Sequence, residues 1–262
     1  MDDLELAVAA ARAGGEILRA GFDRGVTAHY KRRFDPVTEV DHDSEAVILA
    51  MLREHRPDDA ILSEEAGGTT PGGRLWITDP LDGTVNFVHA IPHIAVSIGL
   101  WDGDQPLVGV IYDPLRDECF SSAAGRGAHL NGKPISVSTT DDLDRSVTAT
   151  GFPYDHGDYP DEYAGVVGAV LARVNGIRRF GSAALDLAWV AAGRYEAYWE
   201  LGLAPWDQAA GIAIVREAGG MVTDFSGSDS VPTTPVVLSS NGLVHDTLRR
   251  VIEPALPERL RP

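Results

Sequence analysis

The chain has 262 residues, 44% of them hydrophobic and 23% charged, a balance that suits a globular protein long enough to bury a core. Its formal net charge of −17 repels DNA, RNA and anionic lipid, so no nucleic-acid partner is expected, and no run of eighteen apolar residues offers a membrane span. Cys119 is the only cysteine, which excludes an internal disulfide and a thiolate metal cage.

The start, Met1-Asp2-Asp3-Leu4-Glu5, is acidic and unlike a secretory leader, which points to a cytoplasmic protein. Leu4, Val8, Ala11, Leu18 and Phe22 recur at helical spacing and predict a first helix with that stripe inward. A second helix is expected from about Glu39 to His55, with Val47, Ile48, Met51 and Leu52 inward and Thr38 and Asp41 as a capping box. Leu75 to Thr78 reads as a short strand that stops at Asp79-Pro80, because proline cannot continue a ladder. Ile94, Val96, Ile98 and Leu100 alternate as in a strand, and Asp102-Gly103 marks a hairpin turn. Leu107 to Tyr112, Glu118 to Ala123 and Ile135 to Val137 complete an antiparallel meander, an α+β layout for residues 1–140.

Beyond a boundary placed at Thr139 to Asp144 the pattern changes. Helices are expected over Tyr163 to Val174, Ala183 to Ala192, Gln208 to Ala218 and Leu243 to Ile252. Strands are expected over Tyr195 to Glu200, Met221 to Thr223 and Val236 to Ser239. This alternation predicts a second, α/β half over residues 141–262.

The residues that speak of chemistry centre on Asp79-Pro80-Leu81-Asp82-Gly83-Thr84-Val85-Asn86-Phe87. Two carboxylates on one turn, with the Leu81 carbonyl between them, form an oxygen-only set suited to a hard cation such as Mg²⁺. Gly83 lets a phosphate approach the backbone, and a helix starting at Thr84 would aim free N–H groups at it. An ordinary turn, with Asp82 as a helix cap, accounts for the same letters. The net charge would repel a phosphate ester, so an acidic enzyme acting on one must invert its field locally, which divalent cations do.

Asp79 to Phe87 resembles the signature of the inositol monophosphatase family, the lithium-sensitive, Mg²⁺-dependent phosphatases. Leu62-Ser63-Glu64-Glu65, Pro36 to Asp41, Gly181-Ser182-Ala183-Ala184, Glu200 and Pro205-Trp206-Asp207-Gln208-Ala209-Ala210-Gly211 resemble further family segments in the family's order, from about Lys31 to about Asn241. The resemblance implies a layered α/β/α/β/α sandwich, usually a homodimer. It implies two or three Mg²⁺ ions on Glu64, Asp79, the Leu81 carbonyl, Asp82 and Asp207. Thr84 and Asp41 would then orient and deprotonate the attacking water, with Glu64 in the catalytic set. Asp82, Gly83, Thr84, Gly181, Ser182, Ala183, Glu200 and Asp207 would meet a small phosphate ester. The implied substrate is myo-inositol 1-phosphate; fructose 1,6-bisphosphate, histidinol phosphate and 3′-phosphoadenosine 5′-phosphate are alternatives on the same metal core, as is a non-catalytic binding protein of the same fold.

Duller readings stand beside these. Asp41 serves the capping box equally well, Asp207 sits where an N-cap belongs, and Lys31 is either a counter-charge to the acids or a surface lysine. His89 and His93 are read as structural, and the loops Gly151 to Tyr163 and Leu201 to Ala204 as those that set specificity.

Overall fold

The computed structural model describes residues 1–68, 72–154 and 156–258. Helix α1 (Asp3–Arg24) precedes a hairpin of β1 (His29–Arg32) and β2 (Asp35–Val37), then α2 (Glu39–His55), β3 (Ala60–Ser63), β4 (Gly67–Gly68) and the long β5 (Arg74–Asp82). A short helix α3 (Thr84–Val88) leads into β6 (Ala95–Asp102), β7 (Gln105–Asp113), β8 (Glu118–Ala123), β9 (Ala128–Leu130) and β10 (Lys133–Ile135). Then come β11 (Val147–Thr150), α4 (Pro160–Leu171), β12 (Gly176–Arg178), α5 (Ala183–Ala191), β13 (Ala197–Leu201), α6 (Pro205–Glu217), β14 (Met221–Thr223), β15 (Val236–Ser240) and α7 (His245–Ile252).

The strands β3 to β10 build an eight-stranded sheet in the order β10-β9-β8-β7-β6-β5-β3-β4. It is an antiparallel meander from β5 onward, while β3 joins β5 in parallel. The second sheet, β12-β11-β13-β15-β14, is mixed: β11 runs parallel to β12 and β13, and β15 antiparallel to β13 and β14.

Strand alternation divides each sheet's side chains between two layers. On the first sheet Trp76, Val96, Ile98 and Leu100 meet Leu6, Leu18, Ile48 and Leu52 of α1 and α2. Ile77, Ala95, Trp101 and Ile111 point the other way, into a core with Leu185 and Leu187 of α5 and Ala209 and Ile212 of α6. That same core takes Tyr198 and Val237 from the second sheet, so α5 and α6 lie between the sheets. The far face of the second sheet carries Trp199 and Leu238 against Tyr163 and Val166 of α4 and Leu248 of α7. The result is the expected α/β/α/β/α sandwich, with both sheets covered on both faces, which is why β6 is buried at every residue but its last. The expected division at Thr139 to Asp144 falls in the connection between the sheets, and the two parts share the central core. Among the described residues no helix is long and apolar enough to cross a membrane.

Several expectations need correction. The strand from Leu75 does not stop at Asp79 but runs to Asp82. Asp79 pairs with Ser97 and Asp82 with Ala95, three steps against two, so Pro80 sits in a bulge where no ladder N–H is needed. Of the expected α1 stripe Ala11 and Leu18 are fully buried and Leu4, Val8 and Phe22 pack half-buried against the same core, but the fully buried face also takes Leu6, Ala7, Ala10, Gly14, Gly15 and Gly21, small residues that bring the helix close to α2 and the sheet. Helix α4 starts three residues before the expected Tyr163, with Pro160 at its first position, and strand β10 ends where Ile135 to Val137 was expected to begin.

Candidate active site

The parallel pairing of β3 with β5 sets the first acids in place. Ser63 is the partner of Thr78, and the Glu64 N–H continues the ladder to the Thr78 carbonyl at 3.2 Å, so Glu64 leaves β3 level with Asp79. The bulge then turns the chain so that the Asp79 carboxylate accepts the Leu81 N–H at 3.0 Å. Ser44 from α2 donates to the Pro80 carbonyl at 2.9 Å and pins the turn. Gly83 follows with φ of 94°, a left-handed conformation; a Cβ there would lie 3.0 Å from the His93 carbonyl, so glycine alone fits without strain. Gly83 is the N-cap of α3, whose first turn carries Thr84.

The Thr84 hydroxyl lies 3.1 Å from Asp41 Oδ1 and 3.1 Å from the Leu81 carbonyl. The other Asp41 oxygen accepts from the Thr38 N–H at 2.9 Å and the Thr38 hydroxyl at 2.6 Å. Asp41 therefore closes its capping box with one oxygen and faces Thr84 with the other, and the two readings of this residue coexist. Burial pushes its carboxyl above the ordinary range, against the pull of its hydrogen bonds from Thr38 and Thr84.

Across the cavity, Asp82 Oδ2 accepts from the Ser182 hydroxyl at 2.5 Å and the Ala184 N–H at 2.8 Å. Ser182 is the N-cap of α5, so one interaction ties the first sheet to the middle helices. Asp207 is not an N-cap, as its position suggested. Helix α6 starts at Pro205 with Ala204 as N-cap, and Asp207, at N3, accepts the Ala204 N–H at 2.7 Å. Proline fits the first turn because its missing N–H would have had no partner there. Glu200 stands on β13 opposite Val237 and accepts from the Tyr198 hydroxyl. It packs against Gly151, where a Cβ would fall 2.0 Å from its carboxylate, so a larger residue there would have to displace the Glu200 carboxylate.

These side chains open on one cavity of about 110 Å³, lined by Asp82, Gly83, Thr84, Gly181, Ser182, Ala183, Glu200 and Asp207, together with Phe152, Tyr154 and Arg179. Asp41, Glu64, Asp79 and Leu81 are not among its lining residues; the Thr84 hydroxyl reaches Asp41 directly, and Glu64 and Asp82 are close enough to Asp79 and Asp207 to raise the pKa of both.

The electrostatics of this wall are one-sided. Burial pushes Glu64 up to about 7 despite Lys31, and Asp82 up to about 6 despite its hydrogen bonds. Asp79 is raised well above the carboxylate range by burial and then by Glu64, Asp82 and Asp207; Asp207 is raised by burial and then by Asp82. Glu200 is pushed to about 7, chiefly by burial. Lys31 answers part of this charge: its ammonium is 2.9 Å from Glu64, 2.7 Å from Glu65 and 3.8 Å from Asp35, and those acids hold its pKa up against burial. Lys31 is thus a counter-charge and not a free surface lysine. Among the described residues no three His, Cys, Asp or Glu side chains are already drawn into a metal-holding cluster. Glu64 is engaged by Lys31, Asp82 by Ser182, and Asp207 by its helix start. The donor set nonetheless suits a hard divalent cation, because it is all oxygen and its buried carboxylates, Asp79 and Asp207 above all, are raised for want of positive charge beside them.

His93 is buried between Phe180 and Trp189, at ring-centroid distances of 5.0 and 5.3 Å, and burial lowers its pKa to about 4. His89 is the C-cap of α3. Cys119 is buried in β8 with its thiol pushed to about 11, a packing residue.

Three contributors escaped the sequence reading. Glu45 on α2 is buried and accepts from the Ser63 hydroxyl, the Glu65 N–H at 3.1 Å and the Ala66 N–H at 2.9 Å, so it fixes the loop that carries Glu64. Arg179 and Tyr154 enter the cavity from loops. Glu45 left a signal as an acid on the inward face of an amphipathic helix, and Tyr154 lies within the loop Gly151 to Tyr163 expected to set specificity, though neither residue was singled out.

Five alternating layers, with an acid-lined cavity where the two sheets meet the middle helices, define a layered α/β sandwich of the phosphatase type. The chain belongs to the inositol monophosphatase family, whose model matches residues 2–258. It is 44% identical to the inositol-1-monophosphatase of a Synechocystis species, with 95% of this chain and 88% of that protein covered. It is 41% identical to the Nus factor SuhB of Pseudomonas aeruginosa, with 98% of each covered. Its fold superposes on the solved inositol monophosphatase of Anabaena with a TM-score of 0.88 at 42% identity, covering 98% of this chain and 97% of that one.

Proposed function

We propose that this chain is a Mg²⁺-dependent phosphomonoesterase, with myo-inositol 1-phosphate as its foremost substrate. The observation that carries the reading is the gathering of carboxylates: Asp82 and Asp207 line one cavity, and Glu64 and Asp79 lie close enough to them that Asp79 and Asp207 are raised by the others' charge. Glu64, Asp79, the Leu81 carbonyl, Asp82 and Asp207 would hold Mg²⁺. The bound metal supplies charge neutralisation and activation of water. The chain's own residues do the rest. The Gly83 and Thr84 N–H groups hold the phosphate oxygens. Thr84 passes a proton from the attacking water to Asp41, whose raised pKa suits a general base. Glu200, facing the cavity, accepts from substrate hydroxyls, as a polyol needs. Ser182 and the Ala184 N–H hold Asp82 on its remaining oxygen.

The related proteins are named both inositol-1-monophosphatase and Nus factor SuhB, so the choice of reaction rests on the residues rather than on those names. Each side chain that the phosphatase reading requires is present, which weighs against a non-catalytic protein of the same fold. A homodimer is the assembly expected with this reading, and sedimentation would test it. The decisive assay measures phosphate release from a panel of myo-inositol 1-phosphate, fructose 1,6-bisphosphate, histidinol phosphate and 3′-phosphoadenosine 5′-phosphate, with Mg²⁺ and with EDTA. Release that needs Mg²⁺ and is fastest on the inositol ester supports the reading; release from none of the esters overturns it.

A further inference from the structure

Glu200 reaches the acid-lined cavity from β13, and the strand decides what stands behind it. Alternate residues of a strand share a face, so Tyr198 and Glu200 point inward while Ala197, Trp199 and Leu201 pack into the outer core. Tyr198 is fully buried in the central core, with Leu185 and Leu187 of α5, a place that a phenylalanine ring would fill equally well. Its hydroxyl is therefore not needed for packing, and a buried hydroxyl costs free energy unless it finds a partner. The partner is Glu200: the phenol donates to Oε2, which leaves Oε1 for the cavity. Burial, with the charges of Glu200, Asp186 and Asp82, pushes the phenol well above its ordinary pKa, so it stays an O–H donor.

The carboxylate is confined from a second side. Thr150 pairs with Trp199 in the parallel ladder of β11 and β13, so Gly151 leaves β11 level with Glu200. A Cβ at Gly151 would lie 2.0 Å from Oε2, 2.2 Å from Cδ and 2.3 Å from Oε1 of Glu200, so the carboxylate fills the space that a side chain would take. A free glutamate samples many rotamers. Fixing it before a ligand arrives removes that entropy from the cost of binding.

We infer that Tyr198, with Gly151, is the positioning residue of Glu200 and holds its free oxygen where a substrate hydroxyl meets it. The inference rests on the phosphatase reading for what Glu200 binds. Tyr198 is not among the residues that line the cavity and acts through Glu200 alone. Its hydroxyl therefore matters only to a substrate whose own hydroxyls use that carboxylate.

The test is a double-mutant cycle in the Mg²⁺-loaded full chain: the parent, Tyr198→Phe, Glu200→Ala and the two together. Each is assayed on myo-inositol 1-phosphate and on phenyl phosphate, whose ring carries no hydroxyl. Tyr198→Phe is expected to raise KM for the inositol ester about fivefold with kcat within twofold, and to change KM for phenyl phosphate less than twofold. In the Glu200→Ala background it should change neither KM by more than twofold, because no carboxylate is left to position. Losses that add to those of Glu200→Ala, equal losses on both esters, an unchanged KM, or turnover of phenyl phosphate alone by the parent would each overturn the inference and leave the phosphatase standing. Should Tyr198→Phe fail to fold, Gly151→Ala takes its place in the cycle with the same expectations, since it displaces the carboxylate and keeps the phenol. If the parent hydrolyses neither of these nor the other esters of the panel, the phosphatase reading falls. The cycle is then read as calorimetric binding of myo-inositol 1-phosphate: about fivefold weakening that disappears in the Glu200→Ala background upholds Tyr198, and additive weakening, unchanged affinity or absent binding overturns it.

Discussion

At the scale of single residues the site works by giving each carboxylate oxygen one task. Asp41 spends Oδ2 on Thr38 and keeps Oδ1 for Thr84. Asp82 commits Oδ2 to Ser182 and Ala184, which leaves its other oxygen for the cavity. Asp82→Asn keeps the shape but removes the charge, so it should fold normally and lose more than about 100-fold in kcat, read from phosphate release with saturating Mg²⁺. Glu200→Gln should leave kcat nearly unchanged and raise KM for the inositol ester by about tenfold, because a charged hydrogen-bond acceptor becomes neutral. Steady-state kinetics on both variants separate these effects. The run Asp79 to Phe87 was legible in sequence because its turn is local: an Asp-Pro bulge, a left-handed glycine and a helix start occupy adjacent positions. Tyr154 was legible only as part of the loop Gly151 to Tyr163 expected to set specificity, and Arg179 not at all, since nothing in the residue itself tells a cavity-lining side chain from a surface one.

At the scale of elements, the site depends on how β3, α2 and the turn after β5 are held together. Glu45 joins α2 to the loop after β3 through a hydroxyl and two N–H groups. Glu45→Ala would strand those donors in a buried place and should cost roughly 3 kcal/mol, measured by urea unfolding, with weaker Mg²⁺ binding as Glu64 loosens. The elements read correctly from sequence were mostly the long periodic ones, with the three-residue strand Met221 to Thr223 as an exception. Strands β1, β2, β11 and β12 have only three or four residues, too few for a period to show, and β1 is exposed along its length. The inward face of α1 was only partly legible because alanine and glycine give little hydrophobic signal, although they permit the closest packing.

At the scale of the molecule, the two sheets share α5 and α6 as a common layer, and the cavity lies where all three meet. That shared core could not be read from the sequence, where the change of pattern near Thr139 suggested two separate halves. Burying so many acids in one place has a consequence for stability. Burial holds Glu64 and Glu200 near 7 and Asp82 near 6, above the unfolded carboxylate values near 4. The folded chain therefore binds more protons than the unfolded one. Their contribution to stability is full below about pH 4 and is lost as pH rises through about 7. A cation that binds the ionised acids reverses that loss, by about 2.7 kcal/mol at a hundredfold excess over its Kd. The Mg²⁺-induced rise in Tm should accordingly be larger at pH 8 than at pH 5.5, as differential scanning calorimetry would record.

The most direct measurement is a calorimetric titration of Mg²⁺ into the parent chain and into Asp79→Asn at pH 8. Saturable binding to the parent, weakened at least about tenfold by the substitution, is the expected result. Identical isotherms for the two proteins, or no binding to either, would contradict the claim that these buried acids form a magnesium site.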